Sequence, residues 1–225
     1  MNAPAFAPLV LFDLDGTLVD SSGDLTAAAN QLRADLDLEP IPAAQVRNAI
    51  SGGTLAILAA SFPELSEDQR EPLAEAYIEA YRDQIGRNNV LFDGIEQVLE
   101  TLEAAGVRWG IVSNKRESLA QLVIERMGLS SRCAVLIGGD TTPRSKPDPL
   151  PVLTACERLG VDPQAAVFVG DDLRDVQAGR AAGCSTVAVA WGFQPADTDY
   201  ESYGADWVAL APHELLLPGV LASRE

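Results

Sequence analysis

The sequence predicts an α/β protein: a parallel sheet core interrupted by an inserted all-helical module. Three observations carry this. From Val90 to Leu210 short apolar runs alternate with helical patterns, as in a parallel sheet covered on both faces. One further apolar run, Leu9–Phe12, stands apart near the start. Between Asp20 and Asn89 the pattern is helical, without a convincing strand.

Leu9–Phe12 is apolar at every position and reads as a strand buried on both faces. It stops at Asp13 and Asp15, one residue apart. Buried strands do not tolerate bare carboxylates, so these two mark the strand's carboxyl end at the edge of a crevice. Gly16 lets the chain turn there. A helix is expected over Asp24–Leu38, with Leu25, Ala28, Ala29, Leu32 and Leu36 on one side, ended by Pro40 and Pro42. A second runs from Ala43 to Ile50, followed by the turn Ser51-Gly52-Gly53-Thr54 and a third helix to about Ala60. Ser66 caps a long helix that includes Leu73, Ala76, Tyr77, Ala80 and Tyr81.

Beyond Val90, strands are expected at Val107–Val112, Ala134–Ile137, Ala166–Val169 and Thr186–Ala190, with Ala205–Leu210 as an edge strand. Helices lie between them, from Gly94 to Ala105, Arg116–Met127, Pro149–Leu159 and Asp172–Ala182, the first three closed by Gly106, Gly128 and Gly160. Glu214 onward reads as a short tail. The division is then a core of 1–21 and 90–225, with a helical module at 22–89.

An open parallel sheet binds ligands beyond the carboxyl ends of its strands. There the chain places Asp13 and Asp15; Ser113, Asn114, Lys115 and Arg116; Ser145-Lys146-Pro147-Asp148-Pro149; and Asp171, Asp172 and Asp175. Acidic, hydroxyl and basic groups thus converge on one edge. A carboxylate can attack a phosphate ester, and a lysine and a hydroxyl can cradle the transferring phosphoryl group. Clustered carboxylates need a cation among them, and hard oxygens suit Mg²⁺. Each segment alone has a plainer reading. Asp-x-Asp-Gly can begin a calcium loop, but Thr17, Val19 and Ser21 stand where further ligands would be needed. Lys115 and Arg116 fit either an anionic substrate or a solvated helix start. Ser51, Gly52 and Gly53 fit either a substrate loop, with backbone N–H groups open to a ligand, or an interhelical turn.

Taken in order, these four segments resemble the motifs of the haloacid dehalogenase (HAD) superfamily. Most of its members are magnesium-dependent phosphatases with an aspartate nucleophile. The resemblance implies a Rossmann-like core with a helical cap inserted after the first strand. It also implies roles: Asp13 as nucleophile, Asp15 as general acid and then base, Ser113 and Asn114 with Lys146 for the phosphoryl oxygens. Asp171 would ligate the metal with Asp13 and with Asp15 through its backbone carbonyl, while Asp172 and Asp175 ligate or orient metal-bound water. Asp15 argues against the dehalogenases, which lack this second aspartate. Gly170-Asp171 argues against sugar phosphomutases, which usually carry Glu-Asp there. A non-catalytic binding module would be expected to have lost Asp13, Asp15, Lys146 or Asp171, and all are present.

Leu11–Ser21, Ser145–Pro149 and the helical insertion resemble phosphoglycolate phosphatases. Ile50–Gly53, Leu91–Gly94, Trp109–Lys115 and Phe168–Asp175 are similar to phosphatases of N-acetylmuramic acid 6-phosphate.

The 225 residues carry a net charge of −17 and a pI near 4.3, which argues against nucleic-acid or anionic-membrane partners but not against an anionic substrate. Cys133, Cys156 and Cys184 have no CxxC spacing and read as small buried hydrophobes in a reducing cytosol. Met1–Pro8 has no secretory-signal pattern, so a cytoplasmic monomer or homodimer is expected. His213 lies outside the motifs and is expected to have no catalytic part.

Overall fold

In a computed structural model, which describes residues 6–223, Leu9–Phe12 forms β1, and every one of its side chains is buried. The module after it contains β2 (Val19–Asp20) at its entry, then α1 (Ser22–Asp35), α2 (Ala43–Arg47), α3 (Gly53–Ser61), α4 (Glu67–Arg70) and α5 (Ala74–Gln84). The chain returns through β3 (Val90–Leu91), α6 (Ile95–Ala104), β4 (Arg108–Val112), α7 (Glu117–Arg126), β5 (Leu136–Ile137) and α8 (Leu150–Leu159). It ends with β6 (Ala166–Gly170), α9 (Leu173–Ala182), β7 (Ser185–Val189) and β8 (Trp207–Ala209). The stretch of Met1–Pro8 read for a secretory signal lies mostly outside the described residues.

Six strands form one parallel sheet in the order β5-β4-β1-β6-β7-β8. The chain builds outward from β1 on one side, through β4 to β5, then crosses back and builds outward on the other. The order therefore reverses around β1, and a crevice opens at the carboxyl ends of β1 and its neighbours. Helices cover both faces. Leu9 and Leu11 pack with Val152, Ala155 and Cys156 of α8 on one face. Val10 and Phe12 point the other way, into a core shared with Val98 and Leu102 of α6 and Val123 of α7. Each such fully buried side chain contributes about 1.5–3 kcal/mol relative to exposure.

Helix boundaries follow their breakers. The long helix expected after Ser66 is divided: Ser66 and Gln69 form a capping box, but Pro72 lies in a 3-10 turn over Glu71–Leu73, and α5 begins only at Ala74. Proline cannot donate an N–H to a helical ladder. The second helix ends at Arg47, and Ile50–Gly52 is a separate 3-10 turn. The strand expected from Ala134 narrows to β5, although the Ala134 amide and Val135 carbonyl still bond to β4. The expected tail is a 3-10 turn, Pro212–Leu216, which buries Leu215 in the main core. Among the described residues no strand lies between Asp20 and Val90, and no helix is long and apolar enough to cross a membrane. Cys156 and Cys184 are buried, Cys133 partly so, and none is in a disulfide.

Candidate active site

Where β1 ends, Asp13 donates its backbone N–H to the Val169 carbonyl of β6 at 2.9 Å, which fixes the start of the following turn. Its Oδ1 accepts from the Leu14 amide at 2.7 Å and lies 2.9 Å from Lys146 Nζ. Lys146 also reaches Asp175 Oδ1 at 2.6 Å and the Val112 carbonyl at the end of β4 at 2.8 Å. One ammonium thus ties the ends of β1 and β4 to α9. Burial alone would lower its pKa, but Asp13 and Asp175 outweigh burial and push it up to about 12.

Asp171 is buried just past β6. Its Oδ2 accepts from the Phe193 amide at 3.0 Å and its Oδ1 from the Thr17 hydroxyl at 3.3 Å. The chain approaches this carboxylate so closely that a Cβ on Gly16 would stand 2.5 Å, and one on Gly192 2.3 Å, from Asp171 Oδ2. Gly16 also has φ +93°, a conformation side chains disfavour. Carboxylate oxygens of Asp13, Asp171 and Asp175 lie within 4.8 Å of one another. Burial, with Asp13 and Asp175 nearby, holds Asp171 well above the usual carboxylate range. Burial also raises Asp175, to about 7 against the opposing pull of Lys146. These carboxylates resist being charged together, which is the electrostatic signature of a place for a cation.

Three side chains have uses that spacing did not reveal. The Asp15 carboxylate turns away from this cluster: Oδ2 is 2.7 Å from Lys115 Nζ, and Oδ1 is buried without a hydrogen bond. Asn114 spends its amide on Lys146, donating to its carbonyl and accepting from its N–H, both at 2.9 Å. Asp172 caps α9 in a capping box with Asp175 and is held by Arg174 at 2.7 Å and Gln194 at 2.9 Å. Burial would raise the Asp172 pKa, but the bonds from Arg174 bring it below the usual value.

Every residue given a catalytic, phosphate, metal or substrate role in the sequence lines one cavity of about 330 Å³: Asp13, Asp15, Ser51, Gly52, Gly53, Ser113, Asn114, Lys115, Arg116, Lys146, Asp171, Asp172 and Asp175. Ser113 is buried at the end of β4, and its Oγ accepts from the Lys115 amide at 3.3 Å. Arg116 reaches across to Glu75 at 3.1 Å. Gly53 has φ +75°, and a Cβ on Gly52 would meet Ala56 at 2.5 Å, so the loop requires both glycines.

The opposite wall comes from the helical insertion. Leu25, Ile50, Ile57, Tyr77, Ile78 and Tyr81 line it. Sequence reasoning placed Leu25, Tyr77 and Tyr81 on packing faces and gave them no part in the cavity. It also missed Arg174, which donates to the Ser51 carbonyl across the cavity, while Gln194 bonds the Ser51 hydroxyl at 3.1 Å. An arginine one residue before Asp175, facing away from the α9 packing side, was the available signal. His213 lies outside the cavity lining.

Fold and cavity together define an α/β protein whose charged cavity opens at the carboxyl ends of parallel strands. The family model described as haloacid dehalogenase-like hydrolase matches residues 10–189. A phosphoglycolate phosphatase of Xylella fastidiosa (strain 9a5c) is 48% identical over 226 residues, covering 99% of each chain. An N-acetylmuramic acid 6-phosphate phosphatase of Pseudomonas aeruginosa is 40% identical, covering 92% of each. A crystal structure of a predicted phosphoglycolate phosphatase from Haemophilus somnus superposes with a TM-score of 0.81 at 26% identity, over 93% of this chain and 96% of that one. The chain belongs to the haloacid dehalogenase-like hydrolase family.

Proposed function

We propose that this protein is a magnesium-dependent phosphomonoester hydrolase that works through an aspartyl-phosphate on Asp13, with 2-phosphoglycolate as its substrate. The observation that carries the chemistry is Asp13 itself: a carboxylate at a strand end, held by Lys146, beside the buried carboxylates of Asp171 and Asp175. The names of the relatives at 46–48% identity support phosphoglycolate. The Pseudomonas relative, and the resemblance of Ile50–Gly53 and Phe168–Asp175 to phosphatases of that ester, support N-acetylmuramic acid 6-phosphate as the second reading.

Asp13, Asp171 and Asp175 would hold the Mg²⁺ together with the Asp15 backbone carbonyl. Bound there, Mg²⁺ would supply positive charge against the carboxylates and the phosphoryl oxygens. One Asp13 oxygen attacks phosphorus as the ester bond breaks. Asp15 gives its proton to the departing oxygen, then takes one from the water that hydrolyses the acyl phosphate. Its free Oδ1 is the oxygen available for both transfers, because Lys115 occupies Oδ2. Ser113 and Lys146 bind the phosphoryl oxygens, and Asn114 positions Lys146. The insertion, residues 22–89, is a cap that selects the leaving group and excludes water.

The test is phosphate release from 2-phosphoglycolate, N-acetylmuramic acid 6-phosphate and several hexose phosphates, with Mg²⁺ and after exhaustive chelation. Turnover of one ester well above the rest, abolished by chelation and restored by Mg²⁺, is expected. Full activity after chelation would remove the metal role.

A further inference from the structure

Tyr77 and Tyr81 stand one helical turn apart on the same face of α5, and both line the cavity. Both are nearly inaccessible, at 2% exposure each. Their hydroxyls differ. That of Tyr77 donates to the Leu25 carbonyl at 3.1 Å. That of Tyr81 has no acceptor for its hydrogen, and its oxygen faces the Lys115 ammonium.

A buried hydroxyl hydrogen without an acceptor costs about 1–3 kcal/mol, so its persistence calls for a reason. The surroundings of Tyr81 narrow that reason. Lys115 Nζ lies 4.6 Å from the centre of its ring, and the same ammonium is 2.7 Å from Asp15 Oδ2. An ammonium is a donor only. It offers nothing to the Tyr81 hydroxyl hydrogen, which still needs an acceptor. Burial pushes the phenol up to about 12, so it keeps that hydrogen at any working pH. Asp15 Oδ1, the oxygen facing the leaving group in the proposed reaction, is an unpartnered cavity oxygen bound to this group of three.

We propose that Tyr81 is the specificity-determining residue of the cap: its hydroxyl donates to an acceptor oxygen on the leaving group, beside the ester oxygen that Asp15 protonates. The inference rests on the phosphatase reading and deepens it. The acceptor is a carboxylate, carbonyl or hydroxyl oxygen carried by the alcohol that departs. Lys115 joins the two functions, since it holds the acid on one side and supports the tyrosine ring on the other. A substrate that fills the cavity without such an oxygen leaves the phenol unsatisfied, and discrimination against it follows.

The experiment compares matched esters. Ethyl phosphate has the carbon skeleton of 2-phosphoglycolate without the carboxylate. Tyr81→Phe removes one oxygen and keeps the ring over Lys115. The kcat/KM ratio of 2-phosphoglycolate, or of N-acetylmuramic acid 6-phosphate, to ethyl phosphate is expected to fall about 10- to 100-fold, the worth of a hydrogen bond to a charged or strongly polar acceptor. Thermal unfolding supplies the control. Tyr77→Phe lowers Tm because it removes the hydroxyl's bond to the Leu25 carbonyl, whereas Tyr81→Phe changes Tm less because its hydroxyl hydrogen has no acceptor to lose. A ratio that Tyr81→Phe leaves in place for both natural candidates would overturn the inference. So would a Tm loss matching that of Tyr77→Phe, since the hydroxyl would then be structural. A wild-type enzyme inert on all three esters would overturn the phosphatase reading instead, and this inference with it.

Discussion

On the sheet side of the cavity Lys146, Asp171, Asp172 and Asp175 each have polar partners in at least two directions. On the helical side Leu25, Ile50, Ile57 and Ile78 offer no polar side-chain atom, and Tyr81 offers a hydroxyl hydrogen with no acceptor. The difference teaches where each kind of discrimination resides. Paired charges in a buried wall have little freedom of position, as the alternatives are unpaired charges at several kcal/mol each. That rigidity suits phosphoryl transfer, where charge must be met at fixed points. A largely apolar wall constrains shape and volume, with the Tyr81 hydroxyl as a single polar contact, and so can be altered with less disturbance to the phosphoryl groups.

The sharpest way to break this contrast is Asp13→Asn. It keeps size and most contacts while removing the nucleophile. Turnover is expected to fall at least ~10⁴-fold on every ester, natural or generic, with the fold intact by circular dichroism. A variant that retains a large part of the wild-type rate would move the nucleophile elsewhere.

Next in size is a stability effect on the sheet wall alone. Asp171 is held well above its usual range and Asp175 is raised to about 7. In the window above 3.8 the folded, metal-free protein therefore binds more protons at these sites than the unfolded chain. The contribution of these groups to stability falls as pH rises. Asp171→Asn removes one of the charges; its amide oxygen can still accept from Phe193, and its amide N–H can donate to the Thr17 hydroxyl. Without metal, urea denaturation should show this variant gaining on wild type as pH rises, to about 1–3 kcal/mol by pH 8. Added Mg²⁺ should stabilise wild type and not the variant. A difference that is flat with pH would show that the cluster carries no strain.

The smallest effect probes the junction of the two walls. Arg174→Ala releases the Ser51 carbonyl and the Asp172 carboxylate. About a 10-fold loss of kcat/KM is expected on the preferred ester, mostly in KM. The loss on ethyl phosphate should be smaller, because that ester asks less of the cap. Equal losses on both would mean that the walls do not act separately.

Much of the sheet wall was legible in the sequence because each of its residues directly follows an apolar run. Strand ends can be read from patterning, and Asp13, Ser113, Lys146 and Asp171 are placed by them. What patterning does not carry is side-chain direction within a turn. Asp13 and Asp15 are two residues apart, yet one faces Lys146 and the other Lys115, because the chain turns at Gly16. Asn114 was read as a phosphate ligand, but its partner is the backbone of a residue 32 positions away. Asp172 was read beside the metal, and its carboxylate is spent on a helix cap and on Arg174. The cap wall was the least legible. An apolar residue on a helix face looks the same in sequence whether it meets another helix or a cavity, so Tyr77 and Tyr81 could not be told apart until their hydroxyls were placed.

The two-residue pair β2–β3 sets Val19 opposite Leu91 and Asp20 opposite Val90. Asp24 fastens the returning chain just inside it, accepting from the Gly86 and Asn88 amides at 2.7 Å each. The insertion therefore leaves and rejoins the sheet at a single doorway. The entropy of closing a loop grows only with the logarithm of its length once its ends are joined. Chain length beyond that doorway can therefore change at small entropic cost while β1 keeps its register with β4 and β6. The sheet and its insertion can then drift at different evolutionary tempos, new leaving groups being acquired by replacing a cassette and not by rebuilding an enzyme.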